Sequence, residues 1–569
     1  MPEWQGKNLL CFGDNLDFLT DTSLFPDGCV DLIYLDPPFN SQQDYNVLFK
    51  ETSGAAAAAQ IKAFEDTWTW DMEANKALTR IAHDPAVPPA LTDLVNTFMN
   101  FLKPSPMMAY LVQMAIRLVH MHRVLKSTGS LYLHCDPTAS HYLKLVLDAV
   151  FGPVSFQNEI VWKRTSAHSS AKRYGPVHDT LLFYGKSGTP TWNQQYQPYD
   201  QGYVDTFFDQ VDQDGKQWKR MDLTGAGIRR GETGLPWHGI DITTKGRHWA
   251  YPPAVLDELD RKGHIHWPKK QDGMPRLKQY LDELPGVPLQ DVWTDLPPIH
   301  NLAAERLGYP TQKPLALLKR VLAASSNPGD VIMDPFCGCG TTIDAVETLN
   351  RENPKDVPRT WIGIDVTHLA INLIKHRLTR FAPLPEYEVV GEPASTSGAA
   401  ALAQDDPFQF QYWALGLVGA RPKGAKGKKG ADQGIDGVRY FIDEMKGKQP
   451  VTRTMLIQVK GGRNVGVKDI RDLVGTMARE KADLGVFITL TEPTKPMKTE
   501  AASAGAYESP YDRQSYPRVQ ILTIDELLAD PHKPNPRCLL VPGGAAQHTL
   551  PEPKKHRRKG HRQEDMLGE

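Results

Sequence analysis

The sequence predicts an α/β protein: a parallel-sheet domain interrupted by an irregular insertion and followed by a smaller α/β domain. Three observations predict it. Short apolar runs of buried-strand type at 30–35, 130–135, 330–333 and 360–364 alternate with helical periodicity, which is the rhythm of a parallel sheet. Between about 165 and 301 that rhythm decays into a polar, tryptophan-bearing region and then resumes. A second break at 392–405, where Pro, Ser, Gly and Ala replace any pattern, precedes a further set of helix and strand signals.

At 569 residues the chain has room for two to four domains. It carries 65 basic and 67 acidic residues, a formal net charge of -2, with 40% hydrophobic and 23% charged residues. Such a balance excludes a uniformly basic nucleic-acid coat, so any DNA contact must come from local basic patches. Six cysteines, Cys11, Cys29, Cys135, Cys337, Cys339 and Cys538, show no C-x-x-C spacing, which argues against a disulfide framework and for a reducing compartment. Met1–Leu10 show no basic segment followed by an apolar stretch, and no window approaches the roughly 18 apolar residues of a membrane span. No membrane association and a cytoplasmic location are expected.

Taken in order, the first apolar segment begins at Asn8 and ends in Gly13-Asp14-Asn15. The run Val30–Leu35 is stopped by Asp36-Pro37-Pro38-Phe39-Asn40. Two prolines cannot continue a central strand, so Asp36 is placed at the strand's carboxyl end, the edge where open α/β sheets bind ligands. Gly54 and the five alanines after it predict a loop with a helical piece and no chemistry. Met107, Tyr110, Leu111, Met114, Leu118, Met121 and Leu125 recur at three and four, an amphipathic helix whose Met-rich face is core and which Gly129 ends. Ser130–Cys135 follows as a strand before another Asp-Pro. Beyond the insertion come a helix at 314–325, a strand at 330–333, a helix at 341–349 and a strand at 360–364.

Two constellations carry chemistry. Asp334-Pro335-Phe336-Cys337-Gly338-Cys339-Gly340-Thr341-Thr342 joins a strand to a helix through two glycines, which allow a tight turn beside exposed helix N–H donors. Alone, that G-x-G fits a structural turn or a nucleotide-type ligand equally. The strand ending at Asp365, about 25 residues on, adds a carboxylate placed to hold ribose hydroxyls. A third glycine is missing, threonine standing there instead, so no pyrophosphate cradle is evident and a ribose-bearing cofactor without phosphates is favoured. At Asp36-Pro37-Pro38-Phe39 a carboxylate and a prolyl carbonyl can accept both hydrogens of an exocyclic amine, while Phe39 offers a flat face to a base. Such an amine is a poor nucleophile, its lone pair delocalised into the ring, until acceptors let the nitrogen pyramidalise toward an electrophile such as a sulfonium methyl. The plainer reading is an Asp-Pro-Pro turn capping a strand.

Together these residues resemble the amino-methyltransferases of DNA that act on adenine N6 or cytosine N4. The resemblance spans about 8–385 and includes Gly13-Asp14-Asn15, the Asp-Pro-Pro-Phe-Asn site, Gly129 to Pro137, Asn158–Arg164, Tyr309-Pro310-Thr311-Gln312-Lys313-Pro314 and the 334–342 turn. With the catalytic motif first and the cofactor turn last, the order is similar to the β class of type II and III restriction-modification enzymes. The resemblance implies a Rossmann-like, S-adenosylmethionine-dependent fold acting on double-stranded DNA. Asp36 and the Pro37 carbonyl, followed by Pro38, would bind the target amine, and Phe39 would stack on the flipped base. Asp334 would belong to the cofactor turn, and Phe336, Gly338 and Gly340 would wrap the methionine portion. Asp365 would take the ribose, Asp14 would lie near the adenine, and Thr311 with Lys313 would close over the cofactor. Asp in the first position of the Pro-Pro motif is typical of adenine N6 enzymes. The insertion corresponds to the target-recognition region, with Arg229, Lys245 and Arg247 as candidate base readers.

Past the second break, Phe408–Val418 reads as a helix, then a Gly and Lys-rich loop, then two strands, Ile435–Phe441 and Met455–Gly462, that form a hairpin. Asp436 lies on the first, and Gln458 and Lys460 share one face of the second. Such a trio suits metal-assisted phosphodiester hydrolysis, Asp436 with a backbone carbonyl binding Mg²⁺ and Lys460 orienting or activating water; the plainer reading is a surface hairpin with scattered charges. The segment, about 405–530, resembles the Mrr-like branch of the PD-(D/E)xK nucleases. That branch often carries an acid on its first helix; Phe408–Val418 has none, leaving Asp405 or Asp406 as substitutes. Lys423, Lys426, Lys428 and Lys429 would suit a phosphate backbone.

The expected organisation is thus catalytic part 8–164, target-recognition insertion 165–301, cofactor-binding part 302–390, linker 391–404, nuclease domain 405–530 and basic tail 551–569. The function expected is adenine N6 methylation combined with Mg²⁺-dependent cleavage in restriction-modification; a homodimer is compatible with it. The alternative is a methyltransferase whose C-terminal domain only binds DNA. A Rossmann-type oxidoreductase, a different class, is disfavoured by the missing pyrophosphate loop and by an Asp-Pro-Pro-Phe site that it would not need.

Overall fold

The computed structural model describes residues 4, 6–38, 44–50, 56–65, 68–166, 172, 174–269, 273–300, 303, 305–307, 309, 311–423, 434–446, 449–462, 464–529 and 540. Phe39, Lys426, Lys428, Lys429 and the tail 551–569 lie outside them. The chain divides into two compact units, one built from residues up to 193 and from 291 onward, the other from 194–290.

A nine-stranded sheet organises the first unit. Its strands are β1 (Asn8–Phe12), β2 (Val30–Leu35), β3 (Leu125–Cys135), β4 (Phe156–Lys163), β5 (His178–Gly185), β6 (Val292–Trp293), β7 (Val331–Asp334), β8 (Thr360–Asp365) and β9 (Tyr387–Val390), in the spatial order β6-β4-β5-β3-β2-β7-β8-β1-β9. All neighbours pair in parallel except β5, which runs against both β3 and β4. Burial on both faces explains why these strands read as continuous apolar runs rather than as alternating ones. The flanking helices used below are α1 (Asn15–Thr20), α2 (Pro106–Val124), α3 (Leu315–Ser325), α4 (Thr341–Glu352) and α5 (His368–Leu378). Helix α2 starts where the Ser105 hydroxyl accepts the Met108 N–H and Pro106 fills the first position. Its Met108, Leu111, Met114, Leu118 and Met121 are all fully buried in the core, so its methionine face is packing.

The smaller sheet of the same unit has strands β10 (Arg421–Pro422), β11 (Gly437–Lys446), β12 (Gln449–Lys460), β13 (Leu484–Thr489) and β14 (Val519–Thr523), in that order. The expected hairpin is β11 against β12, antiparallel, and β12–β13–β14 run parallel. Two helices precede it, α6 (Thr396–Asp405) and α7 (Pro407–Leu417). The second unit packs Leu223, Trp237, Ile242, Trp249, Leu256 and Ile265 around a four-stranded antiparallel sheet of Ile265–His266, Arg276–Tyr280, Gln217–Asp222 and Gln210–Val211.

Four expectations need correction. Gly129 does not end a helix: α2 stops at Val124 and β3 begins at once, with Gly129 inside it. There the ladder to β2 jumps register, and a Cβ on Gly129 would lie 2.9 Å from the Lys126 carbonyl oxygen and 3.0 Å from that of Asp31, so glycine is needed for close backbone approach. The alanine stretch is not helical; Ala56–Glu65 is a strand paired antiparallel with Asp44–Lys50. The independent insertion is 194–290 rather than 165–301, because β5 and β6 are completed by pairing in the main sheet. The segment taken for a linker contains α6, capped by the Ser395 hydroxyl, whose Ala399 is buried in the core of the smaller sheet.

Among the described residues no helix is long and apolar enough to cross a membrane.

Candidate active sites

Neighbouring strands bring the two constellations to one place. In the parallel pair β2–β7, Leu32 lies opposite Ile332 and Ile33 opposite Met333, so Asp36 and Asp334 emerge at the same carboxyl edge of the sheet. A cavity of about 560 Å³ opens there, lined by Asp14, Tyr34, Asp36, Pro37, Pro38, Thr311, Lys313, Asp334, Phe336, Gly338 and Asp365. Of the described residues expected to act on a cofactor or an amine, only Gly340 is not among its walls, and Phe39 lies outside the described residues. Gly340 instead backs onto α5: it has φ +75°, and a Cβ there would lie 2.6 Å from Ile374 Cγ1. Its need for glycine is conformation and helix packing, not contact with a ligand.

Among the carboxylates that line the cavity, the four singled out from the sequence are treated differently. Asp36 is ion-paired with Lys313, which is 8% exposed; the lysine expected to close over a cofactor thus rests on the carboxylate expected to accept the target amine. Asp14 caps α1 through the Leu16 N–H and takes both of its oxygens to Arg117 Nη2, at 2.8 and 2.9 Å. The other two receive only neutral donors in their hydrogen bonds. Asp334 accepts the Phe336 N–H at 3.1 Å and the Thr342 hydroxyl at 2.5 Å, and Asp365 accepts the Gly338 N–H at 2.9 Å, the Thr367 N–H at 2.9 Å and the Thr367 hydroxyl at 2.8 Å. Burial dominates over these bonds and pushes Asp334 up to about 7 and Asp365 up to about 6.

Several wall residues were not singled out from the sequence. Arg117 is the main one: buried on α2, it also donates through Nε to Asn15 at 2.7 Å, and Asn15 in turn donates to the Pro335 carbonyl at 2.7 Å. This chain ties the Asp14 segment to the 334–340 turn. A single charge set among the apolar positions of an amphipathic helix is the signal that marks it. Tyr34 hydrogen-bonds His134 Nδ1 at 2.8 Å, whose Nε2 meets Asp179 at 3.2 Å, so side chains lock β2, β3 and β5 together behind Asp36. Burial raises Asp179, but the bond from His134 and the charges of His134, Lys313 and Arg164 leave it below the usual carboxylate range.

In the smaller sheet Gln458 and Lys460 lie on β12, whereas Asp436, expected on the first strand, stands immediately before β11. The Asp436 N–H donates to the Ile457 carbonyl at 3.0 Å, and its Oδ2 accepts the Val459 N–H at 2.7 Å, which holds the carboxylate beside Gln458. Gln458 is 5% exposed and its Oε1 has no hydrogen-bond partner among the described residues; Lys460 ends β12 two positions on. A buried, unpartnered carbonyl oxygen next to a carboxylate is a donor pair that suits a divalent cation. Asp406 does not join them: its Oδ1 accepts the Phe408 and Gln409 N–H groups, each at 3.0 Å, as the cap of α7, and α7 itself carries no acid. Lys423 is ion-paired with Glu480 at 2.8 Å. In the 194–290 unit, Arg229 and Lys245 are exposed, whereas Arg247 is half-buried and donates to Thr224 at 2.8 and 2.9 Å.

Residues 30–376 match the DNA methylase family of N6/N4 type, and residues 402–528 match a restriction endonuclease family of Mrr type. Type II methyltransferase M.EcaI of Enterobacter cloacae is 34% identical over 281 residues, covering 49% of this chain and 60% of that protein. The type III restriction-modification enzyme StyLTI Mod subunit of Salmonella typhimurium (strain LT2) is 26% identical over 366 residues, covering 61% of this chain and 50% of its own length. DNA adenine methyltransferase YhdJ of Escherichia coli (strain K12) is 56% identical over 258 residues, covering 45% of this chain and 63% of its own length. The chain spans between half and two thirds of the length of these relatives.

Proposed function

The chain belongs to the N6/N4 DNA methylase family and carries a C-terminal restriction endonuclease domain of Mrr type, and from that membership and the shared cavity we propose that it methylates adenine N6 in double-stranded DNA, using S-adenosylmethionine, and cuts DNA with Mg²⁺. The single observation that carries the methylation reading is the β2–β7 pairing, which opens Asp36-Pro37 and the 334–338 turn into one cavity. The similarity to YhdJ, a DNA adenine methyltransferase, and the aspartate at position 36 favour adenine over cytosine.

The donor set fits the cofactor. Asp334 and Asp365 are buried acids bonded by neutral donors, an arrangement that favours a cationic, phosphate-free ligand over a dinucleotide. Phe336 and Gly338 would border its methionine portion, Asp365 its ribose and Asp14 its adenine. When bound, S-adenosylmethionine supplies an electrophilic methyl group. Asp36 and the Pro37 carbonyl accept the N–H bonds of the target amine, so that electron density on the nitrogen becomes available as it pyramidalises. Lys313, held on Asp36 in the free protein, must yield that carboxylate to the incoming amine. The Tyr34–His134–Asp179 chain keeps the end of β2 fixed meanwhile. The 194–290 unit would supply target recognition, with Arg229 and Lys245 available for contact.

Mass spectrometry of nucleosides from DNA incubated with the protein and S-adenosylmethionine should show N6-methyladenine. N4-methylcytosine instead would overturn the base assignment, and neither product would overturn methyl transfer.

A pH dependence follows from the two raised acids. Below about pH 6 to 7 they are partly protonated in the free protein, and a bound cation favours their charged forms, so binding expels protons. Affinity for S-adenosylmethionine should therefore rise with pH up to about 7, by as much as tenfold per unit per coupled proton, and flatten above. Calorimetry in buffers of different ionisation heat checks this; a flat affinity with no proton release would refute the role of Asp334 and Asp365.

The absence of an acid on α7, with Asp406 used as a cap, favours the second reading of the C-terminal domain, a DNA-binding module that does not cut.

A further inference from the structure

We propose that α7, a helix of the endonuclease-type domain, is part of the methyltransferase cofactor site, with Gln409 and Tyr412 as positioning residues for the loop that carries Asp365. The proposal rests on the reading of that cavity as an S-adenosylmethionine site.

Helix α7 has two working faces. Phe410, Trp413, Ala414 and Leu415 are buried in the core of the smaller sheet. The face bearing Gln409, Tyr412 and Gly416 lies on α5, the helix that begins three residues after Asp365. Gln409 Oε1 accepts the His368 N–H at 2.9 Å. That N–H belongs to the first turn of α5, where no intrahelical acceptor exists, so the glutamine from the other domain satisfies it. The Tyr412 carbonyl accepts Asn372 Nδ2 at 2.7 Å, and a Cβ on Gly416 would lie 2.1 Å from Asn372 Oδ1, so the two helices touch backbone to side chain. The Tyr412 ring packs into the cluster of Tyr309, Cys339 and Leu369, and both Tyr309 and Cys339 line the cavity on their other side.

What Gln409 holds in place is the frame of the cavity. His368 is 0% exposed and its ring stacks on Phe12, with centroids 3.5 Å apart and planes 19° apart. Phe12 leads directly into Gly13 and Asp14, and the Gly13 N–H donates to the Asp365 carbonyl at 3.0 Å. On its other side His368 follows Thr367, whose N–H and hydroxyl both bind Asp365 Oδ1. Releasing the first turn of α5 therefore loosens the Asp365 carboxylate and the Asp14 segment together. Thermodynamic reciprocity requires that a cofactor which orders this loop also steadies α7 and the domain built on it.

The test uses the full chain and S-adenosylmethionine itself. Gln409→Leu removes the acceptor and should raise the cofactor dissociation constant and its KM on the order of tenfold, with kcat and the KM for DNA within twofold of the parent. Gln409→Glu keeps an acceptor oxygen and places an acid in the first turn of α7, where the helix favours it, and should restore binding to within about threefold. A purely structural role would instead lower kcat in both variants through loss of folded protein. Independently of any variant, hydrogen exchange of the parent protein should slow across 407–417 as well as 367–378 on adding S-adenosylmethionine. Protection of 367–378 with none at 407–417, or unchanged affinity in Gln409→Leu, would overturn the proposal. Failure of the parent protein to bind S-adenosylmethionine would overturn the cofactor reading and this inference with it.

Discussion

Asp36→Ala should abolish methyl transfer, lowering kcat by about a hundred- to ten-thousand-fold, while the protein still binds S-adenosylmethionine. The loss is large because acceptors on the amine act where the nitrogen changes shape and charge, in the transition state, and contribute little to holding the ground state. Asp36 also has a partner: Lys313, nine-tenths buried, loses this ion pair in the variant. The ammonium keeps the Thr311 carbonyl at 3.4 Å but loses its closest carboxylate, so the alanine variant should also melt at a lower temperature. Asp36→Asn separates the two effects, since the amide keeps one acceptor oxygen and fills the same space. It should fold better than the alanine variant and still transfer methyl groups poorly. Transfer of labelled methyl to DNA, alongside calorimetric binding of the cofactor, reads both. Transfer within tenfold of the parent in both variants would sink the assignment of Asp36 to the amine.

Lys460→Ala should leave methylation intact and remove Mg²⁺-dependent cutting, by a hundredfold or more in conversion of supercoiled plasmid to nicked and linear forms. The separation is expected because Lys460 ends β12 in the smaller sheet, whereas Asp36 and Asp365 stand at the edge of the larger one. Gln458→Leu offers a complementary measurement. If the unpartnered Oε1 serves as a cation ligand, replacing it with an apolar group of similar size should abolish cutting while leaving the metal-free protein as stable as the parent or more so. Equal cleavage by the parent and Lys460→Ala would refute the nuclease site. Cleavage by neither, with DNA binding retained, would support the reading in which this domain docks without cutting.

Much of both sites was legible in the sequence because the relevant chemistry is local. Two prolines after an apolar run force a strand to end at Asp36, and two glycines separated by one residue force a turn after Asp334, whatever the rest of the chain does. Gln458 and Lys460 needed only strand alternation, which β12 supplies, while Asp436 stands one residue before β11 and is tied to β12 through Ile457 and Val459. What misled was the same locality applied too far. Gly129 resembles a helix stop by composition, yet its glycine is needed for contact with Asp31 on the neighbouring strand. The 396–405 segment looks patternless because a short Ala-rich helix buries little beyond Ala399, and its stability comes from the domain it packs on.

Sequence alone determined the two α/β domains, the ends of the strands at Asp36 and Asp334 and the turns that follow them, since these follow from covalent restrictions on φ and from short-range periodicity. Tertiary structure alone decided that β2 lies beside β7, that Lys313 rests on Asp36, that Arg117 clamps Asp14, and that Gln409 reaches His368 across a domain boundary. Asp36 and Lys313 are 277 positions apart, and Asp14 and Arg117 are 103 apart. No period or motif connects such positions. They meet because burying both faces of a nine-stranded sheet fixes which strands are neighbours, and a buried charge must then find whatever counter-charge that order brings within reach.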